Sequence, residues 1–286
     1  MINSNFIKPW RKILYERQKY KDNYVDEEKF LSHLDTSIEL KRLSVGGIFL
    51  SSSVPAQQLS VVTLFLTIYK YFALKMVSVW FIIYIDIGLL CFGYLVHSQL
   101  DRSCPSFNKA LCSSMIFGIC LRVAAPVLKT LTSSYSSDTI HALAIIFSSV
   151  HLVFYDYAFI DNNTMDFSGT LSLNAAMFTA VLLASRLENV DVVAAFVFLA
   201  VILFSFMPLS VRLIKLHSPQ FHVLTCILLW LVATIMLIVL DSTLFTVYQV
   251  LVALVWFICP LWYLYFQRYK KSLKGPWDIA ILQRNV

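Results

Sequence analysis

Long apolar runs follow one another from residue 45 to residue 266, and they leave few folds open to this chain. Each run approaches the roughly 20 residues that an α-helix needs to cross about 30 Å of hydrocarbon. Only 14% of the residues are charged, whereas about 25% are charged in a typical soluble domain. Because backbone polar groups must be satisfied internally in a bilayer, such runs form helices. The sequence therefore predicts an all-α, polytopic membrane protein.

Eight apolar runs can be distinguished, and we expect each to be one transmembrane helix. They cover residues 45–69, 77–96, 110–131, 139–160, 170–187, 191–209, 221–240 and 243–266. A polar, basic head (1–44) precedes the predicted bundle (45–266), and a short tail (267–286) follows it. The head has no apolar segment typical of a cleavable signal peptide. We therefore expect the first run to act as an uncleaved signal anchor.

Lysine and arginine residues are distributed unevenly between the two sides of the predicted bundle. An even number of spans places both termini on one side, and 18 of the 23 Lys and Arg residues fall on that side. An excess of Lys and Arg marks the cytosolic side. We therefore expect cytosolic termini and an unused glycosylation sequon at Asn162. The net charge is +6. Because the basic residues flank membrane segments, this charge does not indicate nucleic-acid binding.

The head and the tail carry candidate contacts to partner proteins. A basic, amphipathic segment beside a membrane anchor is typical of an element that lies at the interface or binds a partner. The alternatives are a solvated head and a tail turn with an interfacial Trp. The candidate contacts are Trp10, Glu16, Arg17, Asp22, Asn23, Tyr24, Asp26, Pro276, Trp277 and Asp278.

Polar residues interrupt several of the apolar runs and mark a candidate site. Such groups at membrane depth are costly, and they normally face a protein interior or a wet cavity. The hypotheses are an internal polar network, a pocket for a lipid head group, or a catalytic acid or base. The residues are Gln57, Gln58, Asp86, Arg122, His151, Asp156, Asn174 and Arg186.

Three positions in the apolar runs carry more specific expectations. Arg122 lies within an apolar run, so we expect it to pair with Asp86 or Asp156. Pro55 removes a helix hydrogen bond and predicts a kink beside the two glutamines. Asn174 lies among small residues, which favours a hydrogen bond across a helix interface.

No soluble catalytic domain is visible in the sequence. The longest non-membrane stretch is the head, which is too short for a nucleotide-sugar-binding fold, and no His or Cys residues show metal-ligand spacing. We therefore expect no catalytic residue, no metal and no cofactor. Two rival classes stay open. One is an acyltransferase-like lipid-modifying enzyme with His151 as base, and the other is a small transporter using Asp86, Arg122 and Asp156.

Several short segments, in order along nearly the whole chain, together resemble one family. They are Trp10 with Lys12, LYERQ (14–18), DNYVD (22–26), SSVPAQQL (52–59), HLVFYDY (151–157), TLSLNAAMF (170–178), LASRL (183–187) and GPWDIA (275–280). The family is PIG-C, the C subunit of phosphatidylinositol N-acetylglucosaminyltransferase. One departure is Lys21, where the family tends to have Pro.

The resemblance implies a membrane component of the endoplasmic reticulum complex that begins GPI-anchor biosynthesis. That complex transfers GlcNAc from UDP-GlcNAc to phosphatidylinositol on the cytosolic face. In the family, the glycosyltransferase fold belongs to the A subunit. The resemblance therefore implies a non-catalytic chain that assembles the complex and presents the lipid, with the A, H, P and Q subunits as partners.

Overall fold

The computed structural model describes residues 15, 17–18, 20–21, 24, 44–101, 105–132, 134–160 and 169–267. The chain forms two units: Ser44–Leu264 is one, and Met1–Leu43 with Tyr265–Val286 is the other. Of the candidate partner contacts, only Arg17 and Tyr24 are among the described residues. Those outside them are Trp10, Glu16, Asp22, Asn23, Asp26, Pro276, Trp277 and Asp278.

Every regular element in the described part of the chain is a helix, which confirms the predicted all-α class. The helices are α1 Val45–Ala73, α2 Val79–Leu100, α3 Phe107–Thr130, α4 Ser137–Val153, α5 Tyr157–Ile160, α6 Thr170–Ala184, α7 Val190–His217, α8 Pro219–Leu240 and α9 Ser242–Gln267. Six of them (α1, α2, α3, α7, α8 and α9) are long and apolar enough to cross a membrane. The chain is a polytopic membrane protein.

The fourth and fifth predicted runs form shorter helices than expected. Helix α4 has 17 residues and α6 has 15, so both are shorter than the roughly 20 residues of a typical span. The predicted run 139–160 is divided, because the chain leaves α4 at Phe154 and a carboxylate oxygen of Asp156 accepts from the Phe159 N–H at 3.0 Å. This local bond favours a new turn over continuation of the helix.

Helices α1 and α7 form the centre of the bundle. More than half of the span in each is buried, 56% in α1 and 61% in α7, against 17% or less in α2, α3, α8 and α9. Phe65 of α1 stacks on Phe196 of α7 with ring centroids 4.5 Å apart, and Phe204 meets Phe65 edge-on. The short helices α4 and α6 pack along each other and contact this centre. The remaining long helices therefore lie at the periphery.

Prolines lie within four of the long helices: α1, α3, α7 and α9. Pro55 lies inside α1, which nevertheless continues to Ala73. A π-helical segment precedes Pro208 in α7 (Ile202–Phe206), and another precedes Pro260 in α9 (Leu254–Ile258). Proline has no N–H to donate to the carbonyl four residues earlier. In α9 that carbonyl belongs to Trp256, and it accepts from the Ser52 hydroxyl at 3.5 Å.

Several helix ends meet in one polar layer, which we call the distal end. Lys75 lies just after α1, and Glu188 lies just before α7. The two side chains form an ion pair with an N···O distance of 2.8 Å. Lys129 of α3 donates to the Glu188 carbonyl. Thr132 follows α3, and Ser185 follows α6. The Thr132 hydroxyl donates to the Ser185 hydroxyl at 2.5 Å. These bonds bring the ends of α1, α3 and α6 and the beginning of α7 to one level.

Candidate functional site

Gln58, His151 and Ser172 form a hydrogen-bonded cluster in the interior of the bundle. The Nε2 atom of Gln58 lies 2.6 Å from Nε2 of His151. On the other side of the ring, Nδ1 of His151 lies 2.9 Å from the Ser172 carbonyl oxygen and 2.7 Å from the Ser172 hydroxyl. That hydroxyl donates to the His151 carbonyl at 3.0 Å. The cluster therefore joins α1, α4 and α6.

The hydrogen-bond pattern assigns a neutral imidazole to His151. Because the Gln58 amide N–H donates to Nε2, the ring proton is on Nδ1, which donates to Ser172. His151 is 1% exposed. The rings of Tyr155 and Phe204 cover it edge-on, with centroids 5.6 and 4.9 Å away. Both nitrogens are therefore occupied, and neither is open to a substrate.

A small cleft lies beside this cluster, with room for roughly one water molecule. It is lined by residues of α1, by residues of α7 and by Tyr155, which connects α4 to α5: Val54, Gln57, Gln58, Val61, Tyr155, Met207, Pro208 and Val211. Gln57 is 3% exposed, and its amide nitrogen has no hydrogen-bond partner among the described residues. The cleft thus contains one buried donor without an acceptor in the part of the chain that the structure describes.

The predicted partner of Arg122 is wrong. Its guanidinium forms an ion pair with Asp191 in the first turn of α7, and not with Asp86 or Asp156. The side chains of the pair are 50% and 62% exposed, so Arg122 and Asp191 meet at the surface between α3 and α7. Asp86 is instead buried in α2, and its Oδ1 atom has no hydrogen-bond partner in the described part of the chain.

The remaining candidates lie in different places. Asp156 caps α5, close in sequence to the cleft residue Tyr155. Arg186 lies at the distal end, where it donates to the carbonyls of Thr132 at 3.0 Å and Tyr135 at 2.5 Å. Asn174 is on the exposed side of α6, and no bond across an interface is formed there within the described residues. The predicted residues therefore do not form one site.

A second buried cluster was not predicted. The Ser53 hydroxyl lies 2.9 Å from Nε2 of His222, and the Cys226 thiol lies 3.6 Å from the same nitrogen. His222 is fully buried, so the cluster joins α1 to α8 without access from outside. The only sequence signal was a His and a Cys four residues apart on one apolar helix. No three His, Cys, Asp or Glu residues in the described segments are grouped as a metal site requires.

The three residues of the first cluster come from three of the segments that carried the resemblance: SSVPAQQL, HLVFYDY and TLSLNAAMF. Residues 10–278 match the family model GPI2, described as phosphatidylinositol N-acetylglucosaminyltransferase. The chain belongs to the GPI2 family. The resemblance is thereby confirmed, and the GPI2 match extends over the head, the bundle and part of the tail.

Curated relatives in the GPI2 family are similar over nearly the whole of this chain and over most of their own length. A Dictyostelium discoideum protein, named as a putative C subunit of phosphatidylinositol N-acetylglucosaminyltransferase, is 34% identical over 95% of this chain and 79% of its own. The C subunit of Mus musculus is 31% identical over 97% of this chain and 94% of its own. The GPI2 subunit of Schizosaccharomyces pombe is 28% identical over 96% and 87%. No solved structure matches the chain.

Proposed function

We propose that this chain is a non-catalytic membrane subunit of the complex that transfers GlcNAc from UDP-GlcNAc to phosphatidylinositol, the first step of GPI-anchor biosynthesis. The relatives named as the C subunit support the assignment to that complex. The observation that carries the non-catalytic role is the closed cluster around His151. A general base needs a free nitrogen within reach of the proton that it removes, and both His151 nitrogens are engaged inside the protein.

The partners that we propose are the catalytic A subunit and the H, P and Q subunits. The outer faces of α2 and α3 support this role, because 11% and 6% of their spans are buried within the chain. These faces are apolar, with exposed side chains such as Phe92, Met115 and Ile119. Such faces suit contact with lipid or with the membrane helices of other subunits. We place the complex in the endoplasmic reticulum membrane, with both termini of this chain in the cytosol.

The two rival classes fit the geometry less well. An acyltransferase-like mechanism needs His151 to be accessible, and its side chain is buried beneath two aromatic rings. A transporter needs its charged groups along one path. Arg122 instead forms an exposed pair with Asp191 of α7, while Asp86 is buried in α2. The positions of these groups favour a structural subunit.

Depletion and add-back test the proposal. Membranes depleted of this chain should lose GlcNAc transfer to phosphatidylinositol, and the wild-type chain should restore it. The purified chain alone should neither modify lipid nor move solutes across liposomes. Lipid modification by the chain alone would revive the enzyme hypothesis, and solute flux would revive the transporter. If the depleted membranes retain GlcNAc transfer, the chain is not a required subunit of the complex.

A further inference from the structure

We infer that the cleft between α1, α7 and Tyr155 binds a phosphate oxygen of phosphatidylinositol, and that Gln57 donates the hydrogen bond. The identity of the lipid rests on the proposed function. The site itself rests on three observations: a buried amide without an acceptor among the described residues, a cleft near the level where two short helices end, and two cations on α7 beyond the cleft.

The first observation is the contrast between two adjacent glutamines. Val54, Gln57, Gln58 and Val61 follow at helical spacing and present one face of α1 to the cleft. Gln58 uses its amide nitrogen within the protein, on His151. The Gln57 amide nitrogen is buried and has no acceptor among the described residues. Buried donors are nearly always satisfied, and the described residues supply no acceptor here, so the oxygen of a ligand can take this place.

The second observation is the depth of the cleft. From the distal end, α4 and α6 extend only about 25 and 22 Å at 1.5 Å per residue, whereas α1 extends about 43 Å. The short pair therefore ends inside a hydrocarbon layer of about 30 Å. Helix α5 lies across this level and contacts both α1 and α7. The cleft at this height gives one oxygen of a lipid head group a place just below the membrane surface.

The third observation is the charge that follows the cleft along α7. Arg212 lies over the Phe159 ring, with its guanidinium carbon 4.1 Å from the ring centroid. Lys215 follows Pro208 and Val211 at helical spacing and therefore shares their side of α7. Both cations lie farther toward the His217 end of α7 than the cleft residues do. A phosphate between Gln57 and these groups is attracted electrostatically as well as hydrogen-bonded.

The test replaces Gln57 in the assembled complex and measures steady-state kinetics. Gln57→Leu should raise the KM for phosphatidylinositol about tenfold, the effect of losing one hydrogen bond to a charged group. Gln57→Glu should raise it further, because a carboxylate repels phosphate. The KM for UDP-GlcNAc and the co-purification of the other subunits should not change. The KM values are independent of the amount of complex, so a lower yield does not prevent the measurement.

Gln249→Leu is the matched control. Gln249 is a partly buried glutamine whose amide is satisfied within the chain by Trp230 and Thr234, at 3.0 and 2.8 Å. Its replacement should leave the KM for phosphatidylinositol unchanged. An unchanged KM in both Gln57 variants overturns the cleft assignment, even when add-back shows that the chain is required.

Inositol phosphate without acyl chains distinguishes a lipid site from a site for soluble phosphate. Added to the wild-type complex, it should compete with phosphatidylinositol only weakly, because the cleft opens below the membrane surface. Competition as strong as that of an added phosphatidylinositol analogue, and lost in Gln57→Leu, overturns the lipid assignment and leaves a site for soluble phosphate.

Discussion

The Gln58 amide nitrogen lies 2.6 Å from the His151 imidazole, although 93 residues separate the two in sequence. This bond joins a long central helix to a short one in the buried interior of the bundle. The other ring nitrogen of His151 is hydrogen-bonded to Ser172 of α6. Because unsatisfied polar groups are costly in such surroundings, the three residues stabilise one arrangement of α1, α4 and α6.

His151→Gln should lower the stability of the complex and leave its chemistry intact. The glutamine side chain has a donor and an acceptor, but it cannot reach Gln58 and Ser172 with the geometry of the imidazole. We expect a loss of about 1–3 kcal/mol in stability, the cost of leaving one buried polar group unpaired. GlcNAc transfer, normalised to the assembled complex, should stay within a few-fold of wild type.

His151→Leu is the stronger companion to this variant, because it deprives both Gln58 and Ser172 of their partner. It should reduce assembly more than His151→Gln does. A fall in normalised activity beyond about a hundredfold in His151→Gln, with assembly intact, would return His151 to the candidate catalytic bases.

Phe196→Ala should destabilise the bundle at its centre. The Phe196 ring is fully buried and stacks on Phe65. Truncation of a buried Phe costs about 3–5 kcal/mol in soluble cores. In a membrane the packing share of that cost remains, because helix association there depends on close packing. The measurement is thermal unfolding of the detergent-purified chain. Phe206→Ala, at a half-exposed position of α7, should have a much smaller effect.

The class of fold could be predicted because it depends on composition and run length alone. Each of the eight apolar runs contains a helix, and the helix ends at Ala73 and Leu240 lie within a few residues of the expected boundaries. The division of the run 139–160 could not be predicted in this way. It depends on Asp156, whose side chain caps a new turn, and average hydropathy does not register a single cap.

The candidate site could be predicted only in part. Gln57, Gln58 and His151 lie beside or within one cluster. They could be predicted because each is a polar residue on an otherwise apolar helix. The pairing of Arg122 with Asp191 was missed because it depends on which way α3 faces, and a single sequence does not show helix rotation. Ser53 and Ser172 were missed because isolated serines are common in membrane helices.

Arg186→Met should destabilise the chain more than Arg122→Leu. The half-buried Arg186 donates to the carbonyls of Thr132 and Tyr135, and these acceptors lose a charged donor when it is removed. The ion pair of Arg122 with Asp191 is at least half exposed, and exposed pairs typically contribute about 0–1 kcal/mol. The comparison requires thermal unfolding of both variants in one detergent. A larger loss in Arg122→Leu would show that this pair is covered in the assembled complex.

The last prediction concerns the side of the membrane on which the termini lie. Asn162 lies outside the described residues, but the flanking residues Ile160 and Gly169 are at the opposite end of α4 and α6 from the distal end. This is the side where α1 begins. Since 18 of the 23 Lys and Arg residues are expected on that side, it should be cytosolic. Asn162 should therefore stay unglycosylated, and tags at both termini should be accessible to protease in intact microsomes.

A sequon placed in a flexible insertion after Ser134, at the distal end, is the matched control for Asn162. It should acquire a glycan, detected as a mass shift that a glycosidase removes. The inserted loop must be long enough to reach the transferase, because the native connection between α3 and α4 is short. Glycan on Asn162 together with an unmodified insertion would invert the topology, since the basic residues would then lie on the lumenal side. It would also place the cleft of Gln57 on the lumenal face, away from a cytosolic supply of UDP-GlcNAc.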